Sequence, residues 1–167
     1  MTFSHCPHCG RGLISREIGD EGLIPYCPAC QVPLWAIPTT CVICAVVNEQ
    51  GEIALLRQDY VSHTKFVCVA GVLKLGESAE DAAAREIQEE IGLQPEQLRY
   101  IRSYPYPQKE MLMLGFLAQV KKKALRLSCE VDSAQWVPLH QAPGLLNQGG
   151  IAWQLVQEVI RQEGQWS

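Results

Sequence analysis

Residues 71–93 read GVLKLGESAEDAAAREIQEEIGL, which is the pattern of a loop, a helix and a second loop. Ser78 is predicted to cap the helix, with Asp81 in the capping-box position three residues later. Gly92 is predicted to end the helix in the left-handed conformation that glycine adopts most easily. The stretch therefore predicts one well-bounded helix between two loops.

The predicted helix separates a buried side from an acidic side, at about 100° per residue. The buried side is expected to carry Ala84, Ile87 and Ile91. The acidic side, within an arc of roughly 100°, is expected to carry Glu86, Glu89 and Glu90. Like charges four residues apart destabilise a helix, and hard cations such as Mg²⁺ bind carboxylate oxygens together with phosphates. Helical periodicity alone leaves two interpretations open, a solvated acidic face and a cation site beside a phosphate.

The net charge of the chain lies in this same stretch. The 167 residues carry a formal net charge of -4, and residues 71–93 hold six acidic and two basic side chains. The remainder is charge-balanced, which argues against a strongly basic nucleic-acid-binding protein. Hydrophobic residues make up 47% of the chain, which excludes a disordered polymer, and the length suits one domain with a small module attached.

The stretch matches all nine fixed positions of the Nudix box: Gly71, Glu77, Arg85, Glu86, Ile87, Glu89, Glu90, Gly92 and Leu93. On these residues the chain resembles the Nudix hydrolases. The resemblance implies an α+β fold, an α/β/α sandwich with a mixed sheet. It also implies hydrolysis of a nucleoside diphosphate linked to another group, with Mg²⁺ or Mn²⁺ as the catalytic metal.

The resemblance further implies a role for each charged residue of the box. Glu86 and Glu90 would be the principal metal ligands, and Glu89 would be a ligand or the general base. Arg85 and Glu77 would orient the other groups. Outside the box, the resemblance implies two more metal ligands, the backbone carbonyl of Ala70 and the side chain of Glu130.

Four cysteines predict a second, structural metal site: Cys6, Cys9, Cys27 and Cys30. They form two Cys-x-x-Cys pairs with 17 residues between them, which is zinc-site spacing. Two disulfides or a redox pair are the alternatives, although nothing in the sequence indicates an oxidising compartment. Residues 1–37 are therefore predicted to form a zinc ribbon, and residues 38–167 the Nudix domain. The other cysteines are expected to be buried as small apolar residues: Cys41, Cys44, Cys68 and Cys129.

A zinc ribbon ahead of a Nudix box narrows the resemblance to the NADH pyrophosphatases and their zinc-ribbon relatives. Those enzymes carry a Ser-Gln-Pro-Trp-Pro-Phe-Pro signature after the box. The corresponding residues here are Ser103, Tyr104, Pro105, Tyr106, Pro107 and Gln108. The resemblance implies that this segment binds the substrate, since rings held by prolines could stack on a base or a nicotinamide. A proline-rich turn between two strands is the alternative. Trp35 stands where the relatives have a tyrosine after the last zinc cysteine.

Alternating and continuous apolar runs predict six strands, over residues 41–47, 53–58, 66–70, 98–104, 111–120 and 134–138. Apolar residues from Ile151 to Ile160 predict a closing helix. No apolar run has the length of a signal-peptide core or a membrane span, so a cytoplasmic protein without membrane contact is expected.

Two classes of function follow from these patterns. The first is a metal-dependent pyrophosphatase that splits NADH or NAD⁺ into two mononucleotides, with ADP-ribose or nucleotide sugars as alternative substrates. The second is a module that senses a nucleotide or docks nucleic acid without turnover. NAD-capped RNA is a candidate substrate because the cleaved bond would be the same, and the relatives imply a homodimer.

Overall fold

The computed structural model describes residues 4–59 and 62–163, and the chain divides into two compact units, Met1–Pro38 and Thr39–Ser167. The N-terminal unit contains a three-stranded antiparallel sheet, formed by β1 (Ile14–Glu17), β2 (Leu23–Cys27) and β3 (Val32–Pro33). A 3₁₀ turn, Gly19–Glu21, joins the first two strands.

The small sheet buries little apolar surface. Every residue of β1 is exposed, and the buried residues among those described in this unit are Cys6, Tyr26 and Cys27. A segment of this size without a hydrophobic core needs another source of stability, such as a bound metal.

The C-terminal unit is built on a six-stranded sheet. Its strands are β4 (Thr39–Asn48), β5 (Glu52–Arg57), β6 (Val69–Val72), β7 (Gln97–Tyr106), β8 (Met111–Val120) and β9 (Ser133–Pro138). The order is β7-β8-β4-β5-β9, and β6 pairs with β4. β4 and β8 run parallel and the other pairs run antiparallel, so the predicted mixed sheet is confirmed.

The long central strand β4 organises this sheet. One edge pairs with β8 along its whole length, from Thr39 opposite Met111 to Asn48 opposite Val120. The other edge is divided, since β6 pairs with its first half and β5 with its last residues. β6, which carries Gly71, therefore lies directly beside the central strand.

The helices are α1 (Ala79–Ile91), α2 (Ala142–Leu145) and α3 (Ile151–Glu163). Alternate residues of β4 point to opposite faces of the sheet. Val42, Cys44 and Val46 share a buried cluster with α1, whereas Ile43, Ala45 and Val47 share one with α3. This arrangement is the predicted α/β/α sandwich. No helix within the described residues is both long and apolar enough to span a membrane.

Both ends of α1 agree with the sequence prediction. Ser78 Oγ accepts a hydrogen bond from the Asp81 backbone N–H at 3.1 Å and donates one to Asp81 Oδ2 at 2.7 Å. Gly92 ends the helix with φ of 71°, and its N–H donates to the Gln88 carbonyl. These contacts satisfy backbone groups that every helix leaves unpaired at its ends.

The predicted division of α1 into a buried and an acidic face is wrong in two respects. Ala82 and Ala83 are fully buried, whereas Ala84 is only partly buried. Glu90 is 4% exposed, whereas the side chain of Glu89 is 53% exposed, so these two carboxylates do not share an environment.

The burial of Glu90 comes from distant parts of the chain that helical periodicity does not contain. The backbone N–H of Ser128 donates to the Glu90 carbonyl at 3.1 Å, and that of Arg126 donates to the Ile91 carbonyl at 3.0 Å. The loop after β8 therefore covers the end of α1. Cys129 lies in this loop and is exposed, so its predicted burial is also wrong.

Candidate active site

Arg85 donates hydrogen bonds to three of the acidic residues of the Nudix box. Its Nε and Nη2 donate to the two oxygens of Glu77 at 3.0 and 2.7 Å. Its Nη1 donates to Glu86 Oε1 at 2.6 Å and to Glu89 Oε2 at 3.0 Å, and Nη2 also donates to the Val72 carbonyl at 3.1 Å. These five hydrogen bonds equal the number of N–H groups on a guanidinium. Arg85 is therefore fully engaged in orienting the loop and helix α1.

Glu77 is held as a carboxylate. The hydrogen bonds from Arg85 and from the Lys74 backbone N–H lower the pKa of Glu77 to about 2. The carboxylates of Glu77, Glu86 and Glu89 raise the pKa of Arg85 above its ordinary value. The charged pair fixes residues 74–77 to α1 at neutral pH.

Gly71 provides the space in which the Glu86 carboxylate lies. A β-carbon on Gly71 would overlap that carboxylate. Because Gly71 has no side chain, the Glu86 carboxylate can lie directly against the backbone of β6. The glycine at the first position of the box thus has a steric function.

Glu90 is the most buried carboxylate of the site. Gln58 Nε2 donates to Glu90 Oε1 at 2.9 Å, and no described residue hydrogen-bonds Glu90 Oε2. Burial raises the pKa of Glu90 to about 7; the charges of Glu86 and Glu130 act in the same direction, and hydrogen bonds from Gln58 and the Ala70 backbone oppose them.

A divalent cation fits this arrangement. A buried carboxylate oxygen without a partner costs free energy that a cation would offset. The charges of Glu86 and Glu130 and the backbone of Ala70 influence the pKa of Glu90. The three carboxylates do not form a compact cluster among the described residues, so a shared metal site of Glu86, Glu90, Glu130 and Ala70 stays a prediction.

Glu89 is the predicted ligand that lies apart from this group. Its Oε2 bonds to Arg85, and its Oε1 lies 3.7 Å from Lys74 Nζ. Among residues 4–59 and 62–163, no three acidic side chains place an oxygen each within 4.8 Å of one another. Glu89 is instead neutralised by two bases and open to solvent.

The four predicted zinc ligands form a compact cluster in the N-terminal unit. One sulfur from each of Cys6, Cys9, Cys27 and Cys30 lies within 4.8 Å of all the others. The Cys6–Cys30 and Cys9–Cys27 Sγ distances are 3.9 and 3.6 Å. A tetrahedron with Zn–S bonds of about 2.3 Å has edges of about 3.8 Å. The backbone N–H of Cys30 lowers the pKa of Cys27, whereas the hydrogen bond with Cys9 raises the pKa of Cys30.

A cavity of about 600 Å³ lies in the C-terminal unit, between the sheet and the start of α3. Gln58, which hydrogen-bonds Glu90, and Ala70 form part of its lining. The lining also includes Phe66 and two methionines of β8, and its charged members are Lys65 and Lys109. The cavity therefore has both apolar and polar walls, carries two basic residues and shares Gln58 with the surroundings of Glu90.

The predicted substrate-binding segment is divided between this cavity and the core. Pro105, Tyr106, Pro107 and Gln108 line the cavity, and Ser103 is exposed outside its lining. Tyr104 is 3% exposed and packs with α3, so the prediction that it stacks on substrate is wrong for this structure. The alternation of β7 directs its ring into the sheet packing, and burial raises its pKa to about 12.

Trp35 lies in the N-terminal unit after β3 and is 41% exposed. Gln58 was not among the residues predicted for the site. In the sequence, Gln58 is recognisable only as a polar residue at the end of an apolar run. That pattern does not indicate that Gln58 contacts Glu90 or lines a cavity.

Comparisons with known proteins agree with the fold. Residues 38–158 match the NUDIX domain. The NAD-capped RNA hydrolase NudC of Edwardsiella ictaluri is 31% identical over 164 residues, which cover 96% of this chain and 61% of the relative. The human NAD-capped RNA hydrolase NUDT12 is 30% identical over 177 residues, covering 95% of this chain and 38% of the relative. The chain thus spans about three fifths or less of these relatives.

Two solved structures share the fold at lower identity. A NUDIX hydrolase from Nitrosomonas europaea has a TM-score of 0.76 at 19% identity and covers 97% of this chain and 94% of its own. The NUDIX domain of Shewanella oneidensis NrtR, complexed with ADP ribose, has a TM-score of 0.65 at 14% identity and covers 83% of this chain and 94% of its own. With the match of residues 38–158, which spans well over half of its length, the chain belongs to the NUDIX domain family.

Proposed function

We propose that this protein is a divalent-metal-dependent Nudix pyrophosphatase that hydrolyses NADH or NAD⁺ to two mononucleotides. The observation that carries the proposal is the buried Glu90 carboxylate, with one unpartnered oxygen, beside a cavity that shares Gln58 and Ala70 with it. A cation at Glu90 would place a pyrophosphate at the edge of the cavity. A nucleoside could then enter the cavity itself.

The residues that would hold Mg²⁺ or Mn²⁺ are Glu86, Glu90, Glu130 and the Ala70 carbonyl, and Glu89, which is paired with Arg85 and Lys74, would have to leave those partners to join them. When bound, such ions neutralise phosphate oxygens and lower the pKa of a bound water. The choice of these metals rests on the oxygen-only donor set, which suits hard cations.

The protein groups then bind and orient the reactants. Arg85 and Glu77 keep Glu86 in the space above Gly71 through the contacts described above. Glu89, which the resemblance gives as a ligand or the general base, is open to solvent and would accept a proton from the attacking water in the second of these roles. The water oxygen bonds to one phosphorus, the bridging P–O bond breaks, and the bridging oxygen leaves with the second mononucleotide.

The cavity favours a dinucleotide substrate. The Tyr106 ring between Pro105 and Pro107 could stack on a base or a nicotinamide, and the two lysines could attract phosphate. The names of the NudC and NUDT12 relatives add NAD-capped RNA, whose cap carries the same pyrophosphate bond. ADP-ribose and nucleotide sugars are the next substrates to test, and ADP ribose is the ligand in the NrtR structure.

We also propose that residues 1–37 are a zinc ribbon and residues 38–167 the Nudix domain. Zinc would be structural because four thiolates complete its shell. A zinc thiolate site suits a reducing compartment, which supports a cytoplasmic location. The homodimer implied by the resemblance is tested by sedimentation of the full chain.

The experiment that tests this function is incubation of the full chain with a substrate panel in the presence of Mg²⁺ or Mn²⁺. The panel contains NADH, NAD⁺, NAD-capped RNA, ADP-ribose, a nucleotide sugar, a dinucleoside polyphosphate and a nucleoside triphosphate, with products separated by chromatography. Glu86→Gln should abolish turnover of whichever substrate is cleaved. A folded native chain that binds members of the panel and cleaves none would favour the non-catalytic alternative.

A further inference from the structure

Gln58 occupies the boundary between the buried carboxylate and the cavity. Its Nε2 donates to Glu90 Oε1 at 2.9 Å, and both side chains are only 4% exposed. A hydrogen bond to a charged group at a site of low dielectric constant is stronger than one at the surface. The amide nitrogen of Gln58 donates to Glu90, so its amide oxygen faces away from that carboxyl group.

The position of Gln58 is itself fixed. It follows β5 directly, and its backbone carbonyl accepts a hydrogen bond from the Ser62 N–H at 2.9 Å. Its side chain forms part of the cavity lining. Among the described residues no hydrogen bond to its Oε1 is found, and this oxygen is the group of Gln58 that would accept a hydrogen bond from a hydroxyl or amino group in the cavity.

The hydrogen bond from Gln58 also determines how Glu90 presents its second oxygen. Oε1 is bound to Gln58, whereas Oε2 is buried and unpartnered among the described residues. Groups that hydrogen-bond a metal-ligating carboxylate orient it, and their loss typically reduces metal affinity about 10- to 100-fold. Gln58 can therefore influence a cation that it does not contact.

We infer that Gln58 is a positioning residue that holds Glu90 for the divalent cation and connects it to the nucleotide in the cavity, so that each ligand strengthens binding of the other. The inference rests on the proposed function, since it assumes a cation at Glu90 and a nucleotide in the cavity. Thermodynamic linkage makes this effect reciprocal. The factor by which bound nucleotide raises the affinity for the cation equals the factor by which bound cation raises the affinity for nucleotide.

The test compares the native full chain with Gln58→Met, which keeps a side chain of similar length and removes both amide groups. Mn²⁺ dissociation constants are measured by electron paramagnetic resonance of free Mn²⁺, with and without AMP or NMN. The native protein is expected to bind Mn²⁺ several-fold more tightly with nucleotide present. Gln58→Met is expected to bind Mn²⁺ at least about tenfold more weakly, with no effect of nucleotide.

Gln154→Met is the matched control. Gln154 lines the same cavity, but its Nε2 donates to the Gly149 carbonyl and not to Glu90. Without nucleotide, this variant should bind Mn²⁺ within twofold of the native protein. Thermal unfolding shows whether each variant is folded. Gln58→Asn, which keeps the amide but is shorter by one methylene, provides a second variant and should also weaken Mn²⁺ binding.

A folded Gln58→Met or Gln58→Asn protein with native Mn²⁺ affinity would overturn the positioning role. Native protein whose Mn²⁺ affinity does not change with either nucleotide would overturn the coupling. In both cases hydrolysis of NADH by the native chain would leave the proposed function intact. Absence of both Mn²⁺ binding and turnover in the native chain would instead remove the proposed function and this inference together.

Discussion

At the scale of single residues, the site depends on a glycine, Gly71, and on a buried carboxylate, Glu90. Gly71 leaves room for the Glu86 carboxylate, and Gln58 holds one oxygen of Glu90. The Nudix box identified Gly71, Glu86 and Glu90 from the sequence. It could not show that Glu90 is buried, because the residues that cover it lie more than 30 positions away along the chain.

Gly71→Ala should weaken metal binding with little loss of stability. The added β-carbon overlaps the end of a flexible Glu86 side chain, which can move away at low cost but then no longer lies at the cation site. We expect a decrease in Mn²⁺ affinity of at least about tenfold, measured by calorimetry. Gly144→Ala is the control, since a β-carbon there meets no atom within 4 Å. Equal Mn²⁺ affinity in both variants would contradict the steric role of Gly71.

Tyr104 and Tyr106 should respond differently to substitution, although both belong to the predicted substrate-binding segment. Tyr106→Ala removes a ring that lines the cavity, and we expect KM for NADH to rise about tenfold, since base stacking on an aromatic ring contributes about 1–3 kcal/mol. Tyr104→Phe removes only a buried hydroxyl that has no partner among the described residues, so KM should not change and stability should be equal or higher. Steady-state kinetics that showed the reverse order would refute the assignment of the two rings.

At the scale of elements, the sequence predicts structure best where the determining contacts are local. The caps of α1 are Ser78 and Gly92 as predicted, and β8 has the predicted bounds of residues 111–120. The strand predicted over residues 66–70 is instead Val69–Val72, because Phe66 and Val67 form only isolated bridges to Leu146 and Leu56. The three strands of the N-terminal unit have no alternating apolar pattern, which is why the sequence did not predict them.

The ion pair between Glu77, in the loop before α1, and Arg85, in α1, should make the stability of the fold depend on pH. The pKa of Glu77 is about 2 in the folded protein and about 4.5 ordinarily, so its ion pair with Arg85 stabilises the fold fully above pH 4.5. That contribution is lost as the pH falls towards 2. Glu77→Gln should therefore lower the thermal midpoint at pH 6, and the difference from the native chain should shrink between pH 4.5 and 2.

Glu80→Gln serves as the control for this measurement, because Glu80 is an exposed residue in the first turn of the same helix. Thermal unfolding followed by circular dichroism at several pH values should show a much smaller, pH-independent difference for Glu80→Gln. A constant difference for Glu77→Gln across the whole pH range would show that the ion pair does not stabilise the fold.

At the scale of the whole molecule, the net charge of -4 is explained by the active-site segment. Residues 71–93 carry all of it, and the structure pairs part of it internally through Arg85 and Lys74. The acids of this stretch that have no basic partner among the described residues are Glu80, Asp81 and Glu90, and of these Glu90 is the buried one. Its Oε2 has no hydrogen-bond partner among the described residues, which supports the proposed cation site.

Zinc removal should unfold the N-terminal unit, which has little apolar core. Metal analysis of the purified full chain is expected to return about one zinc per chain. Cys27→Ser should lower that ratio and increase proteolysis within residues 1–38, because metal binding supplies the folding free energy of such a small unit. Cys68→Ser, at a buried cysteine outside the cluster, should keep the zinc. Native protein prepared without chelator that contains no zinc would contradict this role.

In the proposed function, Glu90 supports metal-dependent hydrolysis of a dinucleotide. The most direct measurement is the rate at which native and Glu90→Gln protein convert NADH to NMNH and AMP with Mg²⁺ or Mn²⁺. The native chain is expected to cleave NADH only when divalent metal is present. The rate of the Glu90→Gln variant is expected to be at least about 100-fold lower than the native rate. Native-like turnover by a folded Glu90→Gln protein, or activity that persists after removal of divalent metal, would contradict it.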